Sequence, residues 1–325
     1  MSKRFDVISI GDSTHDTFVE ISEAVIRNNK NAKGSEICFS WADKIPVNRV
    51  TQISGVGNSA NAAVGASRQG LKTAIRTHVG DDIVAMSIKE NFKKEGVDIS
   101  MIKEYSRRPS NYSVVINHGA ERTILVHHEF WKYNLPRDLD ARWFYYSSLG
   151  PSHEKLHMQI ARYAKKGIKV AFQPGTYQLR ESGKTLKPVL ESSEVILLNV
   201  EEAQQLTGVK QRNPKKIMRA LKNLGPKTVV MTDGPDGAYA YDGETNYFVK
   251  AYPPEAKERT GAGDGFSIGF VGALIKGKTI NEALLWGNAN ATSVVQYIGA
   301  QKGLLSEAGI KKMIRKYKNI KPEAI

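Results

Sequence analysis

The sequence predicts an α/β fold with a doubly wound, mostly parallel central sheet flanked by helices and a small β-sheet lid. Three observations lead there. From Trp143 onward, short apolar runs alternate with helical patterns, the rhythm of parallel strands joined by covering helices. Two strand pairs, at 36–53 and 112–127, interrupt the earlier α/β units and so belong to a separate small sheet. At 325 residues, with 41% apolar and 25% charged residues, the chain can bury the core that such a sheet needs.

Val7 to Ile10 reads as the first strand. The following Gly11-Asp12-Ser13-Thr14-His15-Asp16 places a carboxylate, Asp16, beyond the strand's carboxyl end, where ligands of open α/β sheets bind. Glu36 to Phe39 and Val47 to Ile53 read as short strands around a polar loop. Gly55-Val56-Gly57-Asn58-Ser59-Ala60-Asn61 then opens a small-residue helix, Ala62 to Gln69, ended by Gly70. Its small side chains point to close helix-to-sheet packing, and Asn61 at its mouth suits a hydrogen bond to a polyol. Thr73 to Val79 is a strand, followed by Gly80-Asp81-Asp82 and a helix to about Lys94. Tyr112 to Asn117 and Arg122 to His127 alternate around His118-Gly119-Ala120-Glu121, a hairpin pattern. Residues 15–54 and 107–133 are assigned to the lid, and 1–14, 55–106 and 134–325 to the α/β body.

The alternation then runs through Phe144 to Ser147, His153 to Lys166, Lys169 to Phe172, Val195 to Leu198, Pro214 to Leu224 and Thr228 to Met231. Ala238 to Tyr241 and Tyr247 to Val249 read as a hairpin at the sheet edge. Helices at Asp264 to Ile275, Asn281 to Tyr297 and Glu307 to Tyr317 close the chain.

No apolar run approaches the roughly 18 residues of a membrane helix, and Lys3-Arg4 leads directly into a short strand, not a signal segment. The one cysteine, Cys38, reads as a buried small hydrophobe in a reducing, cytoplasmic setting. The net charge of +14 lies largely on amphipathic segments such as Lys311 to Lys318, so a solvated basic surface is expected ahead of a nucleic-acid partner. Steering of an anionic substrate is a secondary effect of the same charge. Phe39, Trp41, Tyr112 and Phe130, on or beside the small sheet, predict a homodimer through the lid or packing over a site within one subunit.

Arg259-Thr260-Gly261-Ala262-Gly263-Asp264-Gly265-Phe266 sits at the mouth of an apolar helical run. Glycines let backbone N–H groups turn toward one point, and the helix start adds partial positive charge, so the loop suits an anion. Asp264 there suits a group that takes a proton from whatever attacks the anion. An aspartate in the first turn also stabilises a helix start, so the tetrad alone fits both readings.

Two further matches are set aside. His153-Glu154-Lys155-Leu156-His157 has the letters of a zinc-protease motif, but the same helix carries Leu156, Ile160, Tyr163 and Ala164 as a core stripe. Only Glu181, in a polar loop without helical support, follows soon enough to serve as a third ligand, so the histidines are read as structural. Gly272 to Thr279 spells a Walker pattern but lies within an apolar helix, with Gly277 as its cap and Thr279-Ile280-Asn281-Glu282 as the next helix's capping box.

Several segments in order carry a family resemblance. They are Gly57 to Asn61 with Gly80-Asp81-Asp82, Asn199-Val200-Glu201-Glu202, Thr232 to Gly237, Thr260 to Asp264, and Asn288 ahead of Gly299-Ala300. With Asp16, they make the chain resemble the ribokinase-like sugar and nucleoside kinases, the PfkB family, over nearly its whole length. The resemblance implies ATP- and Mg²⁺-dependent phosphoryl transfer to a hydroxymethyl group of a small sugar, as in ribokinases and fructokinases, or of a nucleoside. It implies Asp264 as base, with the N–H groups of Gly261, Ala262 and Gly263 as the anion hole. It places Asp16, Gly57, Asn58 and Asn61 at the acceptor and Asn199 and Glu202 at Mg²⁺ and the phosphates. Thr232, Gly234, Gly237 and Asn288 fall in the nucleotide pocket. Glu258 and Arg259 replace the Asp and Thr of many members, a departure that bears on activation by a monovalent cation, and Arg259 suits a phosphate contact instead. Val56 replaces the first glycine of the usual pair, and Gln173 stands where relatives carry Asn or Asp. The alternative from another class is a non-catalytic nucleotide or nucleic-acid binder on this fold, for which an acceptor base at Asp264 would have no use.

Overall fold

A computed structural model of the chain describes residues 5–29, 34–119, 121–253 and 258–325. Lys3-Arg4 and the hairpin tip at Ala120 lie outside the described residues. The first half runs β1 (Phe5–Ile10), β2 (Thr14–Glu20), β3 (Val25–Asn29), β4 (Gly34–Cys38), β5 (Arg49–Val56) and α1 (Asn58–Arg68). It continues through β6 (Thr73–Arg76), β7 (His78–Val79), α2 (Ile83–Lys94), β8 (Lys103–Glu104), β9 (Tyr112–His118) and β10 (Glu121–His127). Next come β11 (Ala141–Tyr146), α3 (Glu154–Lys165), β12 (Lys169–Phe172), α4 (Gly183–Ser192), β13 (Val195–Asn199), α5 (Val200–Thr207), α6 (Pro214–Lys222) and β14 (Thr228–Thr232). The chain ends with β15 (Ala238–Tyr241), β16 (Asn246–Val249), α7 (Ala262–Ile275), α8 (Ile280–Val294), α9 (Glu307–Lys316) and β17 (Glu323–Ala324).

The large sheet has the order β17-β16-β15-β14-β13-β12-β11-β1-β6. Strands from β6 to β14 are parallel, and β15, β16 and β17 add an antiparallel edge. Covered on both faces, the central strands are near-continuous apolar runs, such as Val195 to Leu198 in β13. One core cluster lies under α1, α2, α7, α8 and α9 and the other under α3 to α6, which is the doubly wound arrangement. The winding reverses at β1, which has β6 on one side and β11 on the other. Ligands of such sheets bind outside the carboxyl ends at that switch point.

The smaller sheet has the order β10-β9-β2-β5, with β2 and β9 parallel and the outer pairs antiparallel. This corrects the expected pairing of segments 36–39 and 47–53: β4 pairs with β3, while β5 pairs with β2. Val25 to Asn29 and Thr14 to Glu20 are dominated by polar residues, which hid both strands from a hydrophobicity reading. Asp16 therefore sits within β2, and the first carboxylate beyond β1 is Asp12. Helix α4 was also missed, because Gly183 and Pro188 punctuate it; it holds by its Ser182 cap and by the buried Leu186, Val189 and Leu190. The Walker-like segment behaves as expected: Gly272 is inside α7, Gly277 has φ +76°, and Thr279 and Glu282 form a capping box.

Helix α7 is apolar all round because it is packed all round. A Cβ on Gly65 of α1 would stand 2.6 Å from Ile268 Cγ2, and one on Gly269 would stand 2.7 Å from the Trp286 carbonyl of α8. The three helices thus touch through glycines. Gly269→Ala gains up to about 1 kcal/mol in helix propensity, but overpacking costs about 1–3 kcal/mol. Urea unfolding should show a net loss of stability with an unchanged slope, and an unchanged or higher midpoint would contradict this packing.

Candidate active site

Five strand ends of the parallel sheet deliver the polar residues that the apolar strands cannot hold: Asp12 after β1, Ser147 after β11, Gln173 after β12, Asn199 at the end of β13 and Thr232 at the end of β14. Opposite them stand the starts of α1 and α7. Gly261 opens α7 with φ +78°, and a Cβ there would stand 2.3 Å from Ala300 Cβ, so only glycine fits. A Cβ on Gly263 would meet no atom within 4 Å, so its backbone faces open space.

Asp264, in the first turn of α7, has both carboxylate oxygens engaged. Asn61 Nδ2 of α1 donates to Oδ2 at 2.7 Å, and Gln173 Nε2 donates to Oδ1 at 2.9 Å. Burial raises the Asp264 pKa, and the two amide bonds oppose that rise. Each amide is held in turn. Gln301 donates to Asn61 Oδ1 at 3.1 Å, and the buried Tyr145 hydroxyl donates to Gln173 Oε1. Gln173, to which the sequence assigned no consequence, is thus a direct partner of Asp264; its place just after a parallel strand was the available signal.

A cavity of about 230 Å³ joins Asp264, Gly261 and Gly263 to Asn58, Asn199, Glu202 and Thr232. Arg259 lines it too, together with Arg122, which arrives from β10 of the small sheet and which the sequence reading took only as a strand residue. Asn199 and Glu202 form a capping box at the start of α5, so this pair does cap a helix; its bonds use Asn199 Oδ1 and Glu202 Oε2. The Glu202 pKa is raised by burial, with the Asp264 and Glu201 charges adding to the rise. Glu202 and Asn199 put a carboxylate and an amide oxygen on the cavity wall, hard-oxygen donors that fit Mg²⁺.

The expected site residues do not all meet there. Gly57 caps α1 with φ +108°, close against the Asp12 carbonyl. Asp16 Oδ1 is buried without a partner, and burial, then the nearby Glu258 charge, raise its pKa to about 6 against a lowering bond from Ser113. An orphan carboxylate oxygen of this kind is an acceptor waiting for a donor. Glu258 accepts from Thr260 and from the Gly299 N–H. Ala262 N–H donates to the Arg259 carbonyl at 3.3 Å and is engaged within the chain. Gly234 begins a 3₁₀ turn with open space at its Cβ position, and a Cβ on Gly237 would stand 2.2 Å from the Val249 carbonyl. Asn288 spends its amide on the Lys250 carbonyl and the Tyr252 N–H, so it builds the wall behind β16.

Architecture and site together define an α/β protein of the ribokinase-like fold, with a cavity at a glycine-rich helix start. Residues 24–307 match the profile described as pfkB family carbohydrate kinase, and the chain belongs to that family. A ribokinase of Haemophilus influenzae is 28% identical over 266 residues, covering 78% of this chain and 85% of that protein. A nucleoside kinase of Methanothermobacter thermautotrophicus is 23% identical over 311 residues, covering 94% of each. Among solved structures, Arabidopsis thaliana ribokinase complexed with ribose and ATP superposes with a TM-score of 0.81 at 20% identity, covering 96% of this chain and 99% of that one. A Methanocaldococcus jannaschii nucleoside kinase gives 0.78 at 17% identity, covering 95% and 98%.

The carboxylate that follows β1 is buried. Asp12 accepts from the Tyr133 hydroxyl and the Gly150 N–H, both at 2.7 Å, while its Oδ1 has no partner. Burial lifts its pKa to about 6, against the lowering effect of those two bonds and of His153. Because the folded-state pKa lies above the ordinary value, the folded protein holds a proton that the unfolded chain has released. The associated stability is full below about pH 4 and is lost as pH rises to about 6, an effect of about 3 kcal/mol. Asp12→Asn should remove this component: across that window wild type should lose stability relative to the variant, as read by urea unfolding at each pH. A constant difference between the two would contradict it.

Proposed function

We propose that this chain is an ATP-dependent kinase that phosphorylates a hydroxymethyl group of a small sugar, with a nucleoside as the alternative acceptor. The observation that carries this reading is Asp264, a half-buried carboxylate of raised pKa held by two amides at the wall of a cavity shared with the α7 start and Glu202. Asp264 takes the proton of the acceptor hydroxyl. The freed oxygen attacks the γ-phosphorus of ATP, and the bond from that phosphorus to the β–γ bridging oxygen breaks, releasing ADP. The N–H groups at the α7 start, with Arg259 and Arg122 on the cavity wall, stabilise charge on the transferred group. Asn199 and Glu202 would hold Mg²⁺, which when bound neutralises phosphate charge. Asp16 accepts acceptor hydroxyls, and Asn61 has a second amide hydrogen to give them while it holds Asp264. Thr232, with the Gly234 to Gly237 turn, forms the nucleotide side.

Gln173 is a positioning residue in this account. With an acceptor chosen by ADP release from a panel of sugars and nucleosides, Asp264→Asn should lower kcat by about 10²–10⁴ while ATP binding is kept. Gln173→Leu should lower kcat more mildly and move the acid limb of the pH profile upward, because a bond that lowers the Asp264 pKa is gone. Near-normal turnover of Asp264→Asn would sink the assignment.

The small sheet supports the further proposal of a homodimer. Ile124, Leu125 and Val126 of β10 are exposed, as are Phe39, Phe130 and, at 97%, Trp41. Light scattering at micromolar concentration should give twice the chain mass; a monomer would contradict it.

A further inference from the structure

The histidine pair at the start of α3, set aside for want of a supported third ligand, has one in the folded chain. Glu181, just past the 3₁₀ turn Gln178–Arg180, lies against both rings. His157 Nε2 stands 3.0 Å from Oε2 and 3.3 Å from Oε1, and His153 Nε2 contacts Oε1. One ligand atom from each residue lies within 4.8 Å of the others, and among the described residues no other set of three or more His, Cys, Asp or Glu side chains converges in this way. Tetrahedral zinc with bonds of about 2.0–2.2 Å to nitrogen and oxygen separates neighbouring ligand atoms by about 3.3 Å, so small side-chain movements admit the ion.

The outer contacts fit the same purpose. His153 Nδ1 bonds the Gly150 carbonyl at 2.6 Å, and His157 Nδ1 lies 3.1 Å from the Tyr146 hydroxyl. Metal-binding histidines anchor their second nitrogen in this manner, which fixes tautomer and ring orientation. For His153 the carbonyl can only accept, so Nδ1 carries the proton. Without a metal, His153 protonated on both nitrogens pairs with Glu181, and His157 accepts from the Tyr146 hydroxyl on Nδ1 and donates Nε2–H to the same carboxylate; a zinc ion would replace the two Nε2 protons and draw on the same three ligand atoms.

We propose that His153, His157 and Glu181 bind a zinc ion, with the fourth position left to water on the side of Glu181, whose side chain is 11% exposed against 3% and 0% for the histidines. Glu154, which would be the base in a zinc protease, is exposed on the outer face of α3, so the site lacks a protease's base. It ties the segment that begins at Gln173, a partner of Asp264, to α3.

Metal content is read without any turnover assay, so this proposal stands or falls apart from the kinase reading. The full-length protein, loaded with zinc and dialysed against zinc-free buffer, should retain about one zinc per chain by mass spectrometry. Glu181→Gln, at the most exposed ligand, should retain almost none, and Tyr146→Phe should weaken zinc binding about 10–100-fold. A strong chelator should lower the wild-type melting temperature, with recovery on adding zinc, and leave Glu181→Gln unmoved. Wild type that retains no zinc, or Glu181→Gln that retains as much as wild type, overturns the site.

Discussion

The rest of the structure depends on one constraint, the clamping of a half-buried carboxylate between two amides. Asp264 sits where burial penalises its charge, and an ionised carboxylate without partners would cost several kcal/mol. The bonds from Asn61 and Gln173, each contributing about 1.5–3 kcal/mol as bonds to a charged group, offset that cost. They come from α1 and from the end of β12, so the carboxylate is correct only when helix and sheet are both in place. Close packing keeps them there: Gly65 lets α1 lie against Ile268 of α7, four residues beyond Asp264. Arg68, paired with Glu95, donates to the Gln301 carbonyl and fixes the residue that orients Asn61.

The same economy of placement explains the cavity. Parallel strands are apolar because both faces are covered, so chemistry collects where each strand stops. Asn199, Thr232 and Gln173 all take that position, and the α7 start supplies backbone donors across from them. Like charges from Glu202 and Asp264 meet Arg259 and Arg122 around one space. That balance suits a ligand with both phosphate and metal character. The small sheet contributes Arg122 to the cavity wall, so it takes part in shaping that space.

The large sheet and its helices were legible because Val195 to Leu198 and segments like it keep one periodicity from end to end. The lid strands were less so. Thr14 to Glu20 carries Thr, His and Asp among its apolar residues, and only pairing with β5 and β9 makes it a strand. Asp264 and the loop before it could be read from glycine spacing and the helix that follows. The bonds from Asn61 and Gln173 could not, because they span 203 and 91 residues of chain. Glu181 could be named from the sequence as the acid that follows the two histidines, but its approach to both rings could not, because only the fold brings that loop back to α3.

The central claim is that Asp264 faces the hydroxyl that is phosphorylated. The most direct measurement is a crystal structure of the chain with an acceptor and a non-hydrolysable ATP analogue. The account predicts one acceptor hydroxyl within about 2.6–3.2 Å of the Asp264 carboxylate, in line with the γ-phosphate, and another on Asp16. An acceptor bound with Asp264 still held only by Asn61 and Gln173, and no hydroxyl in reach, would contradict it.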